Sequence, residues 1–273
     1  MVTLNALWKK FIGLGRRPAP PIDAELWAEA TRRYHFMHGL NAEENRRLCL
    51  IAADFLAQKS IVGAGELAVS EKMRVEIAAQ ACILVLELGV TSYAGWSDII
   101  VYPSQFMPER EVMDEFGVVH TSRDALAGEA WLGGPVILSY EDVAVTATDN
   151  AVAGFNVVIH EFAHKLDMQN GDANGFPPLH KGMSGAIWQQ VFKAAYLDFC
   201  KAVDEADLRE AHDQGAALAQ LPIDPYASET PAEFFAVVSE AFFELPQTVS
   251  DTFPQVYEQL RLFYRQDPLS RYG

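Results

Sequence analysis

Apolar positions along this chain fall first at helical spacing, then at strand spacing, then at helical spacing again. Between residues 23 and 58, Leu26, Trp27, Ala30 and Tyr34 recur at three- and four-residue steps, the stripe of a helix that faces a core. Residues 70–88 predict a second helix, with Ser70 as N-cap and Gly89 as its stop. Its second half is apolar nearly all round, as in a central core helix. The texture changes at Gly89. Residues 98–102 (DIIVY), stopped by Pro103, read as a strand, residues 135–145 (PVILSYEDVAV) as one or two more, and residues 118–121 as a further candidate. A helix over 156–168 and a Gly/Pro/Asn-rich loop over 170–185 follow. Helical patterns then resume at 186–203, around 208–221, at 231–245 and at 253–265. This order predicts an α+β fold: a mostly helical single domain with a small mixed sheet. Pro18, Pro20 and Pro21 close an N-terminal arm, so the expected division is an arm over 1–22 and a domain over 23–273.

Composition narrows the picture. Half of the 273 residues are hydrophobic, enough for a sizeable core and too many for disorder over most of the chain. Thirty-seven acidic residues against 21 basic ones give a net charge of −16, which argues against a protein held to nucleic acid by phosphate contacts. It does not argue against binding a protein that itself binds DNA. Cys49, Cys82 and Cys200 are odd in number and far apart, the pattern of thiols in a reducing compartment. The arm mixes Trp8, Phe11 and Ile12 with Lys9, Lys10, Arg16 and Arg17 and lacks the apolar core of a signal peptide. The longest apolar run, residues 81–86, stops at Glu87, far short of the ~20 residues of a membrane helix. The expected location is the cytoplasm, with no membrane partner.

Residues 160–164 read His-Glu-Phe-Ala-His. On a helix, positions i and i+4 share a face, so His160 and His164 can offer two imidazole nitrogens to one ion. Glu161, one step round, can reach a water bound to that ion. This is the HExxH arrangement of zinc hydrolases, and the apolar NVVI before it and the unbroken KLD after it support a helix. The competing reading is an amphipathic helix whose histidines are merely hydrogen-bonded.

A catalytic zinc needs a third protein ligand. Leu166 and Asn170 occupy the Gly and His places of the metzincin pattern, which excludes that class. Asp167 suits a supporting or helix-end role. A calcium loop starting at Asn170 fails because its twelfth position is Lys181. Glu233, Glu240 and Glu244 share nearly one helical face downstream and remain candidates. Glu233 has a second explanation, because Thr230-Pro231-Ala232-Glu233 is a capping box in which it would reach back to the helix start. The stripe as a whole could equally be a solvated face.

The segments NVVIHEFAHKLD (156–167), NGDANGFPPL (170–179) and DPYASETPAEFFAVVSEAFFE (224–244) strongly resemble the Mlc titration factor A family of bacterial zinc peptidases. YAGWSDIIVYP (93–103), GEAW (128–131) and FYRQDP (263–268) add to the match, which runs from about residue 55 to 268. The resemblance implies His160, His164 and Glu233 as ligands of one zinc ion per chain, Glu161 as catalytic base and Tyr226 as a hydroxyl that reaches the site. It implies a zincin-like fold with the small sheet beside the HExxH helix, and a gluzincin-type catalytic half similar to that of anthrax lethal factor. The activity implied is that of a zinc metallopeptidase of aminopeptidase type acting on peptide substrates. The resemblance also implies sequestration of the glucose-responsive transcriptional repressor Mlc, which relieves repression of sugar phosphotransferase genes. Apart from the resemblance, the strand at 135–140 is a candidate unpaired edge to which a substrate backbone adds as another strand. The alternative is a non-catalytic repressor-binding protein with a structural metal site.

Overall fold

The computed structural model describes residues 19–105, 110–113, 119–122, 128–145, 154–213 and 218–271. Most of the expected N-terminal arm, residues 1–18, lies outside the described residues.

The first helical stripe is broken into three pieces, α1 (Ala24–Thr31), α2 (His35–His38) and α3 (Ala42–Leu56). The cause is local. Asp23 caps α1, and Asn41 with Glu44 forms a reciprocal capping box that starts α3 afresh after Gly39. Next come β1 (Ser60–Gly63) and α4 (Glu71–Ile83), the latter capped by Ser70. Every residue of α4 from Val75 to Ile83 is buried, as its all-round apolar pattern requires. Its regular hydrogen bonding ends at Ile83, and tighter turns carry the chain to Gly89, whose φ of 84° favours glycine.

The strands β2 (Asp98–Tyr102), β3 (Arg110–Met113), β4 (Val119–Ser122), β5 (Gly128–Ala130) and β6 (Val136–Ser139) follow. β1, β2 and β6 run parallel, β5 pairs antiparallel to β6, and the four lie in the order β1-β2-β6-β5. β3 and β4 form a separate antiparallel pair. Two expectations are corrected here. The strand at 136–139 is interior, flanked by β2 and β5, so the edges of the sheet are β1 and β5. Residues 140–145 form a helix, α5 (Tyr140–Val145), instead of a further strand. Ser139 Oγ accepts the Asp142 N–H at 3.3 Å, and Glu141 and Asp142 place acids in the first turn, where the helix dipole favours them.

The remaining helices are α6 (Val157–Asp167), α7 (Gly185–Asp213), α8 (Pro231–Glu244), α9 (Pro246–Thr252) and α10 (Pro254–Tyr264). The molecule is thus a mostly helical α+β domain with a small mixed sheet. The core is rich in rings. Phe162 of α6 packs against Phe55, Tyr93 and Trp96, while Phe234 and Phe235 of α8 pack against Phe192, Trp188 and Phe263. These contacts bury α6 and α8 and fix their axes. No helix among the described residues is long and apolar enough to cross a membrane.

Candidate metal centre

Asn156 starts α6, its side-chain oxygen accepting the Ile159 N–H at 3.0 Å. One turn on, His160 and His164 lie on one face, edge to face, with ring centroids 4.8 Å apart. Thr230 starts α8, with Pro231 at the first helical position and Thr230 Oγ1 accepting the Glu233 N–H at 3.1 Å. That is half of the capping box. The reciprocal half is replaced, because the Glu233 carboxylate points across to α6: its Oε2 lies 3.0 Å from His160 Nε2 and 3.2 Å from His164 Nε2. The two Nε2 atoms are 3.2 Å apart. The ligand atoms of His160, His164 and Glu233 all lie within 4.8 Å of one another, close enough to hold a metal ion.

The electrostatics follow from burial and proximity. Against the upward push of burial, hydrogen bonds from His160 and His164 hold Glu233 well below the usual carboxylate range. Burial disfavours a charged His160, but the charge of Glu240 and its bonds to Glu233 and Glu240 raise it well above the usual imidazole value. Glu161 is 4% exposed, and its Oε2 has no hydrogen-bond partner. Burial, reinforced by Glu233, Glu240 and Glu129 against the pull of His160, pushes its carboxyl up to about 8. Tyr226 sits on a short turn over Pro225–Ser228, 47% exposed, with its ring 6.1 Å from that of His160.

Around the cluster, the glutamates of α8 are not a solvated face. Glu240 is 2% exposed and its Oε1 lies 2.7 Å from His160 Nδ1. Asp167 closes α6 by accepting the N–H groups of Asn174 and Gly175 at 2.7 Å each, which draws the following loop onto the helix end. His180 in that loop lies 2.7 Å from the Phe263 carbonyl oxygen, away from the cluster. Lys165, pushed down to about 8 by burial, donates to the carbonyls of Trp131 and Gly134 at 2.6 and 2.8 Å and so pins the turn between β5 and β6. The part played by Asn156 and Glu240 was not evident from the sequence beyond the seven-residue spacing from Glu233 to Glu240.

Fold and site together define an α+β protein with a His/His/Glu metal-binding cluster carried on two helices. The family described as "Glucose-regulated metallo-peptidase M90" matches residues 9–265. Mlc titration factor A of Serratia proteamaculans is 39% identical over 233 residues, 85% of this chain and 84% of that protein. The proteins of the same name from Pectobacterium atrosepticum and Yersinia pestis are 37% identical over 235 residues and 34% over 266 residues, covering 85% and 97% of this chain and 83% and 91% of theirs. The chain belongs to the Mlc titration factor A family of M90 metallo-peptidases.

The expectation of a zinc metallopeptidase of aminopeptidase type is corrected by the cluster itself. That expectation joined the five-residue motif, Glu161 included, to Glu233; the group that converges is His160, His164 and Glu233, at spacings of 4 and 69 residues, without Glu161. Glu161, the expected base, stands outside the group as a buried carboxyl, and Tyr226 flanks it. The arrangement defines a metal-binding cluster.

Proposed function

We propose that this chain is a non-catalytic binding protein that titrates a transcriptional repressor of the Mlc type, with a structural metal centre at His160, His164 and Glu233. The observation that carries the first part is the identity of 34–39%, over most of the chain, to proteins named for titrating Mlc. Two imidazole nitrogens and one carboxylate oxygen are a donor set suited to zinc. Tetrahedral ligands about 2.0–2.1 Å from a zinc ion stand roughly 3.3 Å apart. The three atoms here are 3.0–3.2 Å apart, so the residues fit the group. A cation bound there would supply a cross-link between α6 and α8, which are otherwise joined by the contacts of Glu240 and Glu244 with Asn156 and His160. A chain of net charge −16 does not compete for operator DNA itself, so titration means holding the repressor.

The test is a gel-mobility experiment with purified repressor on operator DNA. Added protein releases the DNA, and gel filtration recovers a protein–repressor complex free of DNA. An operator complex unmoved by excess protein, with no co-elution at micromolar concentrations, overturns the reading. Metal analysis of the purified chain tests the centre separately, with about one zinc per chain expected.

A further inference from the structure

The two histidines of the cluster are supported unequally. His164 Nδ1 is buried with no hydrogen-bond partner among the described residues, whereas His160 Nδ1 lies 2.7 Å from Glu240 Oε1. Glu240 is held in turn. Its other oxygen accepts the Asn156 N–H at 2.5 Å, the backbone group at the start of the helix that carries His160. The Asn156 side chain caps that helix with its oxygen. Its amide nitrogen donates to Gln80 Oε1 at 2.9 Å and to Glu244 Oε1 at 2.8 Å. One asparagine therefore locks α6, α8 and α4 together at the point where Glu240 meets His160.

This geometry has a chemical consequence. A carboxylate accepts and does not donate, so Glu240 requires the proton of His160 on Nδ1. When a cation takes the place of the Nε2 proton that otherwise bonds to Glu233, the Nε2 lone pair faces the position between Glu233 and His164. An imidazole held in this way is both oriented and more basic toward a cation. Building on the metal-centre reading above, we propose that Glu240 is the positioning residue of the centre: it fixes the tautomer and ring orientation of His160, and Asn156 fixes Glu240. A purely structural role for Glu240 is the rival account, because its side chain also fills space between α6 and α8.

Glu240→Gln separates the two. It keeps the volume, but one end of its side chain becomes an amide N that cannot accept from Asn156 N–H while the other serves His160. Glu240→Asp keeps the charge and withdraws it by one methylene, which provides a second variant should the first fold poorly. Affinities for Zn2+ and Co2+ are measured by chelator competition, with the visible spectrum of bound Co2+ as a report on ligand geometry. The expected result is an affinity 10- to 100-fold weaker in either variant and an altered Co2+ spectrum. The metal-free melting temperature should fall in Glu240→Gln, where two buried donors face each other, so affinities are compared on chains shown to be folded by circular dichroism. Glu244→Gln, which leaves the His160 contact intact, should bind metal within about threefold of the wild type. Wild-type affinity and spectrum in both Glu240 variants, or an equal loss in Glu244→Gln, overturns the proposal. A wild-type chain that binds neither metal overturns the metal centre itself, a result distinct from these.

Discussion

At the scale of single residues, Glu233 carries two jobs through two different parts of itself. Its backbone N–H completes the cap of α8 on Thr230, and its carboxylate faces the histidines. Glu233→Gln keeps the first and weakens the second. The expected outcome is loss of at least tenfold in zinc affinity with unchanged far-UV circular dichroism; unchanged affinity would mean that the carboxylate is not a ligand. Glu244 offers a different test. Burial, opposed by the Asn156 hydrogen bond and aided by Glu240, pushes its carboxyl from the ordinary 4.5 up to about 7. A folded-state value raised above the unfolded one contributes stability that is fully present below about 4.5 and is lost as pH rises through about 7. Glu244→Gln removes that loss. Above neutrality the variant should be more stable than the wild type by on the order of 2 kcal/mol, and its stability should vary less between about pH 5 and 8. Urea titrations at several pH values read this, and parallel pH profiles for the two proteins would show that Glu244 does not titrate in that window.

At the scale of elements, what could be read in the sequence depended on whether the signal was local. The caps at Ser70 and Thr230, the apolar strand at 98–102 and the helix that carries His160 and His164 follow from short-range patterns, and each is present. β1, β3 and β5 carry at most two adjacent apolar side chains each, too few to read as a strand, whereas β6 carries the apolar run 136–138. The strand β6 was recognisable, but its neighbours were not, since pairing order depends on contacts between distant segments. The convergence of Glu233 with the histidines likewise spans 69 residues. Capping alone left its role open, and only the resemblance pointed to it. One long-range contact lends itself to a sharp test. Gly175, at φ +76°, lets the loop clasped by Asp167 lie against the start of α8, and a Cβ there would fall 2.4 Å from the Pro231 carbonyl oxygen. Neither the positive φ nor a backbone atom can yield cheaply. Gly175→Ala should cost about 2–4 kcal/mol in unfolding free energy and weaken metal binding by shifting α8 against α6. A loss below about 0.5 kcal/mol would show that the loop moves freely away from the helix.

At the scale of the whole molecule, charge and site make separate contributions to the proposed role. A net charge of −16 gives a long-range field that attracts basic surfaces, and repressors that hold DNA carry such surfaces. That attraction governs encounter more than final affinity, and salt screens it over a Debye length of about 10 Å at 0.1 M. The metal cluster is a few ångströms across and joins α6 to α8, so under the proposed reading it bears on repressor binding through the stability of the fold. The two contributions should therefore respond to different treatments. Raising salt from about 0.05 to 0.3 M should slow association with the repressor by roughly tenfold or more while changing dissociation little. Chelation should lower the melting temperature of the free chain while leaving the complex intact at temperatures where the metal-free chain stays folded. Surface plasmon resonance with immobilised repressor separates the two rates. Salt-independent association would remove electrostatic steering from the account. Loss of the complex on chelation, with the chain still folded by circular dichroism, would place the metal centre in the binding surface and not beneath it.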